Sequence, residues 1–218
     1  MTFTMVARCP RTKSLGIVTC TTGRAVGSAV PHVEEGVGAV ATQATTNIFH
    51  GTNSLRLLRK GFSPKVVIKS TLSLDPNPER RQIFIIDSQG QTAAFTGEKN
   101  IDWKGYTEGK NFVAGGNNVD GPQVIEAMIR TFEELECDPL HKRLLYAVDS
   151  GEEAGGCKWP DHTAALLVVG IEEEMKLYER PQLDLRVDSS DKPTKDLIHY
   201  YEQYKAFIKE RRERRRIN

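Results

Sequence analysis

Apolar and polar residues alternate from the first positions of the chain. Thr2-Phe-Thr-Met-Val-Ala-Arg8 and Leu15-Gly-Ile-Val-Thr-Cys-Thr21 are rich in β-branched and aromatic residues, and Pro10-Arg-Thr-Lys-Ser14 separates them. This pattern predicts a hairpin. The small residues of Thr22–Ser28 predict a loop, Pro31–Gly36 a turn, and Gly38–Ala44 a third strand suited to a close-packed interior. A helical period then takes over. Ser54–Lys60 reads as a helix capped by Thr52 or Asn53 and stopped by Gly61, and Ser63-Pro64 starts a second helix through Leu72. Gln82–Asp87 and Gln91–Thr96 flank Ser88-Gln-Gly90 as a second hairpin. Asn111–Ala114 runs extended into Gly115-Gly-Asn-Asn118. Helices are expected from Pro122 to about Glu136 and from Pro139 to about Asp149, followed by a Gly-rich loop from Ser150 to Pro160. Strands at Thr163–Val169 and Gln182–Val187 and a long helix opening at Pro193 complete the pattern.

Paired helices between hairpin-like strands do not give the strict strand–helix alternation of a parallel doubly wound sheet. The fold class expected is α+β, with antiparallel sheets covered by helices. The 218 residues fit one domain, 1–192, with a basic helix, 193–218, appended to it. Ala164-Ala-Leu-Leu-Val-Val-Gly-Ile171 is strand-sized, far short of the ~18 apolar residues that span a bilayer, so no membrane contact is expected. A net charge of +1 argues against a dedicated nucleic-acid binder. The opening residues lack a secretory pattern, and four widely spaced Cys without a C-x-x-C pair fit reduced thiols, so a cytoplasmic location is expected.

Most motifs with chemical meaning dissolve in context. Gly36-Val-Gly-Ala-Val-Ala41 matches a loose dinucleotide pattern, but it enters a strand rather than a helix. The five His are scattered without ligand spacing, so no metal is expected, and a G-x-S-x-G elbow is absent. The C-terminal segment Lys205–Arg216 places five arginines in its last six positions. It reads either as a solvated helix end or as a contact for RNA or an acidic partner. Thr2 is small enough to permit removal of Met1. A terminal threonine carries its own base, since an α-amine of pKa ~7.7–8.0 can take the hydroxyl proton.

Thr2–Arg8, Gly16-Ile-Val18, Ala25–Pro31 and Gly36–Gln43 resemble the opening of an uncharacterised family, domain of unknown function 1028. Thr46-Asn47 with Gly51, Asp87 with Gly90, Ala93–Gly97, Gly115-Gly-Asn117, Ala164–Val168 and Asp184–Asp188 continue the likeness in order to about residue 190. That family is similar to N-terminal-nucleophile (Ntn) hydrolases, whose fold is a four-layer αββα sandwich with two antiparallel sheets between helical layers. The resemblance implies an amidohydrolase acting on a small metabolite or short peptide without organic cofactor. Thr2 is then the nucleophile, and Asn117 with the backbone around Gly115 and Gly116 holds the oxyanion. Arg24, Gln43, Asn47 and Gly116 are the implied substrate contacts. Asp184 and Arg186 either join them or form a supporting ion pair. The alternative is a non-catalytic protein of the same fold that uses its basic helix to bind RNA or an acidic partner. A homo-oligomer is also expected, from open sheet edges and apolar helix faces. The chain departs from the family pattern in Gly155–Thr163, at Cys157, Lys158, His162 and Thr163, and at His50, where a tyrosine is common.

Overall fold

Strands fall where β-branched residues alternate, and helices fall where apolar residues recur every three or four positions. The computed structural model describes residues 1–171 and 182–217. Its strands are β1 (Thr2–Arg8), β2 (Leu15–Thr21), β3 (Pro31–Glu34), β4 (Gly38–Ala44), β5 (Arg81–Asp87), β6 (Thr92–Thr96), β7 (Lys104–Gly109), β8 (Phe112–Asn117), β9 (Thr163–Val169) and β10 (Gln182–Val187). Its helices are α1 (Ile48–Arg59), α2 (Pro64–Ser73), α3 (Pro122–Glu134), α4 (Leu140–Glu153) and α5 (Pro193–Ile217). The strands form two sheets, in the orders β10-β9-β2-β1-β8-β7 and β3-β4-β5-β6. All pairings are antiparallel, so the fold is α+β as expected. Among the described residues no helix is long and apolar enough to cross a membrane.

Both faces of β1 and β2 are buried, because the larger sheet is covered on each side. On one face Phe3, Met5 and Ala7 pack with Val124 and Met128 of α3, Leu144 and Val148 of α4, and Leu197 and Tyr201 of α5. On the other, Val6 and Ile17 meet Ala39, Ala41, Phe84 and Ile86 of the smaller sheet. The far face of that smaller sheet, Val40, Ile83 and Ile85, lies under Leu55 and Leu58 of α1 and Val67 and Ile68 of α2. Each such side chain contributes about 1.5–3 kcal/mol when fully buried. Close approach of strands requires glycine at position 115, where an added Cβ would lie 2.6 Å from Phe84 Cζ and 2.6 Å from the Gly105 carbonyl oxygen.

Four elements depart from the sequence expectation. Helix α1 starts six residues earlier than Ser54, at Ile48, with Asn47 as its cap. The apolar Ile48 and Phe49 of its first turn face solvent, which blurs the amphipathic pattern. Pro31–Glu34 is the edge strand β3 rather than a turn, a place where proline at the first position is tolerated. The edge strand β7 is largely exposed and shows no apolar alternation, so it leaves no mark in the sequence. Helix α4 also continues to Glu153, into the stretch expected to be loop.

Two buried polar clusters fasten the helices, one to the smaller sheet and one to each other. Asp75, just after α2, takes the Arg81 guanidinium through Nε at 2.8 Å and Nη2 at 3.1 Å. It also accepts from the Asn77 backbone N–H at 2.8 Å and pairs with His50 of α1. Burial acts to raise the Asp75 carboxyl, but Arg81, Asn77 and His50 overcome it and hold the group well below the usual carboxylate range. His141 of α4 meets the Tyr201 hydroxyl of α5 at 3.0 Å. Burial, reinforced by Lys205 and Lys142, lowers its pKa to about 4.

The two clusters respond differently to acid. Asp75→Asn strands the Arg81 charge and is expected to cost about 3–5 kcal/mol in chemical denaturation at pH 7. The Asp75 contribution is present above its unfolded pKa of about 3.9 and is lost as pH falls below that value. For His141 the unfolded chain takes the proton first, so stability falls on the order of 2–3 kcal/mol between about pH 6.5 and 4. His141→Phe is expected to flatten that segment of the stability profile, measured by urea titration across pH; an unchanged slope would contradict the assignment.

Candidate active site

β1 lies inside the larger sheet, with β2 on one side and β8 on the other, and its first residue is Thr2. In register, Thr2 stands between Thr21 of β2 and Asn117 of β8, and Thr21 in turn stands beside Thr163 of β9. With period-2 alternation these side chains share the face turned toward the smaller sheet. Thr2 Oγ1 and Thr21 Oγ1 are 3.1 Å apart. The Thr21 hydroxyl donates its one proton to the Met1 carbonyl, so the Thr2 hydroxyl is the donor in the pair. Thr2 is 6% exposed, and in this chain its nitrogen is a peptide nitrogen following Met1. Thr163 Oγ1 is buried and without a partner among the described residues.

A hydrogen-bonded seam joins the sheets beside Thr2. Thr4 Oγ1 donates to Gln43 Oε1 of β4 at 2.6 Å, which leaves Thr19 as the donor in its 2.7 Å contact with Thr4. Gln43 Nε2 and Asn117 Nδ2 both donate to Gln82 Oε1 of β5, at 2.7 and 2.9 Å. Gln82 Nε2 reaches Thr96 Oγ1 at 2.9 Å and the Gly116 carbonyl at 2.7 Å. The amide orientations follow from this network. A Cβ at Gly116 would come within 3.0 Å of the Thr2 carbonyl oxygen and 3.0 Å of Val119 Cγ1, so the small residue there keeps β8 against β1.

A second cluster lies at the same end of β1, where Met1 packs against the helix-covered face. Cys20, Glu152 and Asp161 have ligating atoms within 4.8 Å of one another, a spacing a metal ion could bridge. Asp161 Oδ2 accepts from the Cys157 backbone N–H at 3.1 Å, whereas Oδ1 is buried without a hydrogen-bond partner among the described residues. Burial raises the Asp161 carboxyl, opposed by Cys157 and by the positive terminal amine. Burial also raises Glu152, and it pushes the Cys20 and Cys157 thiols up, with Asp161 adding to both. Burial thus shifts each of these groups toward its protonated form, which works against metal binding.

The structure brings some of the expected site residues together and separates others. Asn117 and Gly116 adjoin Thr2 and its neighbour Phe3 across the β1–β8 pairing. Gln43 is fully buried, with both ends of its amide engaged in the seam. Arg24 is exposed in the loop after β2. Asn47 caps α1, its Oδ1 accepting from the Phe49 N–H at 3.1 Å. Asp184 and Arg186 form a two-point ion pair on β10, with Nε–Oδ1 and Nη2–Oδ2 both at 2.8 Å. Arg186 lies in the same row as Thr4 but across β9 and β2, three strand spacings or roughly 14 Å away. The basic end of α5 carries an Arg214–Glu210 pair. The side chains of 215–218 lie outside the described residues. Sequence reasoning did not pick out Thr21, Gln82 or Asp161. The signal that marks Thr21 is the register of the first hairpin, which the turn at 9–14 sets and which places Thr21 beside Thr2.

The crystal structure of protein SPO2555 from Silicibacter pomeroyi, a protein matched by the same family model, is 31% identical to this chain. It superposes with a TM-score of 0.83, over 93% of this chain and 88% of that one. Anbu (ancestral beta-subunit) from Yersinia bercovieri aligns over 94% of this chain and 92% of its own, at 12% identity and a TM-score of 0.37, a likeness too slight to carry an argument. No curated protein matches. The family model described as a family of unknown function, DUF1028, matches residues 2–197, and the chain belongs to that family.

Proposed function

We propose that this protein is an Ntn-type amidohydrolase, with Thr2 as nucleophile once the residue before it is removed, acting on an amide of a small metabolite or short peptide. The observation that carries the reading is the place of Thr2. It is the first residue of an interior strand, and its hydroxyl is oriented by Thr21 between the two sheets. The three apolar clusters support the four-layer αββα arrangement that this chemistry uses, with α3, α4 and α5 outside one sheet and α1 and α2 outside the other.

In this reading Thr2 Oγ bonds to the substrate carbonyl carbon as its proton passes to the freed Thr2 amine. The C–N bond then breaks, and the amine of Thr2 returns the proton to the leaving nitrogen. Water attacks the resulting ester, its proton taken by the Thr2 amine; the bond from the carbonyl carbon to Thr2 Oγ then breaks, the amine returns the proton to Oγ, and the carboxylic acid departs. Asn117 Nδ2 has one N–H left after its bond to Gln82, and that donor serves the oxyanion. Removal of Met1 also frees the Thr21 hydroxyl, whose proton the Met1 carbonyl otherwise takes. The Asp184–Arg186 pair stands on another strand and fits the supporting role better than substrate contact. The alternative, contact with RNA through the end of α5, has less support, because Glu210 and Glu213 interrupt the basic run and Glu210 pairs with Arg214.

A panel of amide and ureido compounds, assayed with protein whose N-terminus has been read by mass spectrometry, tests the proposal. Chains that begin at Thr2 are expected to turn over at least one class, and chains that keep Met1 are expected to be inactive. Thr2→Ala is expected to lose about a thousandfold or more in kcat/KM; full turnover by that variant would refute the mechanism. Asn117→Ala is expected to lower kcat by about a hundredfold with little change in KM, the signature of a donor used in the transition state.

A further inference from the structure

At the end of β1 opposite Thr2, about 20 Å away along the strand, a cavity of about 480 Å3 opens beside the turn between β7 and β8. The end of α3 and the first turn of α4 form its other walls. Arg8, Arg11, Lys110 and Arg143 line it, against two acidic side chains, Glu133 and Glu136, both exposed at the rim. Arg8 is 6% exposed and Arg143 8%, and neither meets a carboxylate among the described residues. Arg143 has a structural explanation. It donates Nε and Nη2 to the Phe132 carbonyl near the end of α3, at 3.1 and 2.9 Å, and lies 3.8 Å over the Phe132 ring.

Arg8 has no such explanation. Among the described residues its one side-chain hydrogen bond runs from Nη1 to Asn111 Oδ1 at 3.3 Å, and its buried Nε has no partner. A largely buried guanidinium whose Nε has no hydrogen-bond partner is costly unless an anion meets it.

We propose that this cavity binds a small molecule carrying a phosphate group, with Arg8 as the buried anchor and Arg11 and Lys110 closing on it from the surface. The guanidinium fork matches phosphate oxygens, and a phosphate monoester carries a charge of about −1.5 to −2 at neutral pH, close to the positive excess of the lining. Pro10 and Phe112 supply apolar wall for the rest of the ligand. A volume inside the roughly 300–1,000 Å3 range of small-molecule pockets, toward its lower end, suits a small metabolite rather than a bare ion. The site is separate from Thr2 and does not rest on the hydrolase reading.

Titration of the full chain with inorganic phosphate, followed by calorimetry and by thermal unfolding at constant ionic strength, tests this. The expected result is saturable binding and a rise in Tm that chloride does not give. Arg11→Gln and Lys110→Gln, both at exposed positions, are each expected to weaken phosphate binding by about tenfold or more. Arg8→Gln is expected to abolish it; should that variant fail to fold, the two surface variants decide the matter. A phosphate response no larger than that of chloride, or one unchanged in both surface variants, would overturn the proposal. Succinate binding more tightly than phosphate would also overturn it, by assigning the cavity to carboxylates.

Discussion

The buried amide of Gln82 is the constraint on which the rest of this structure turns. Its oxygen takes one proton from Gln43 and one from Asn117, and its nitrogen reaches Thr96 and the Gly116 carbonyl, so one side chain joins β4, β5, β6 and β8. Apart from an exposed Thr92–Glu108 hydrogen bond, the sheets elsewhere meet mainly through apolar side chains such as Val6, Ala41 and Phe84, which tolerate small slips. Directional bonds do not. A one-residue shift of β1 would turn Thr4 away from Gln43 and leave buried amide groups without partners. The seam therefore fixes β1 against the smaller sheet, and with it the position of Thr2.

That placement gives the N-terminal end of β1 two chemically different sides. Toward the smaller sheet lie Thr2, Thr21 and Asn117, neutral groups whose protons are assigned by the network. Toward the helices lie Cys20, Cys157, Glu152 and Asp161, groups that burial holds toward their protonated forms beside the terminal amine. A threonine amine freed at this point emerges between a hydroxyl pair and a buried acid cluster. Such surroundings are suited to moving a proton.

Much of the fold was legible because its strands alternate and its helices carry clear start signals. Thr163–Val169 and Gln182–Val187 came out at their expected bounds, and Pro193 opens the last helix. The misses share a physical cause. β7 is an exposed edge, and the first turn of α1 turns Ile48 and Phe49 to solvent, so neither shows the burial pattern that sequence reading depends on. The site was legible only in part. Thr2 and Asn117 stand side by side, but Gln43, expected near substrate, is fully buried in the seam. Gln82 looked like any strand residue, since its role comes from partners on three other strands. Asp161 lies in the loop before β9, and only folding brings it to Cys20 and Glu152.

The Ntn reading reduces to whether the Thr2 hydroxyl carries the acyl group during turnover. Brief reaction of a chain beginning at Thr2 with an activated acyl ester, followed by peptide mass mapping, observes this directly. The account expects a hydroxylamine-labile ester on Thr2. An unmodified Thr2 in protein that continues to turn over would contradict it.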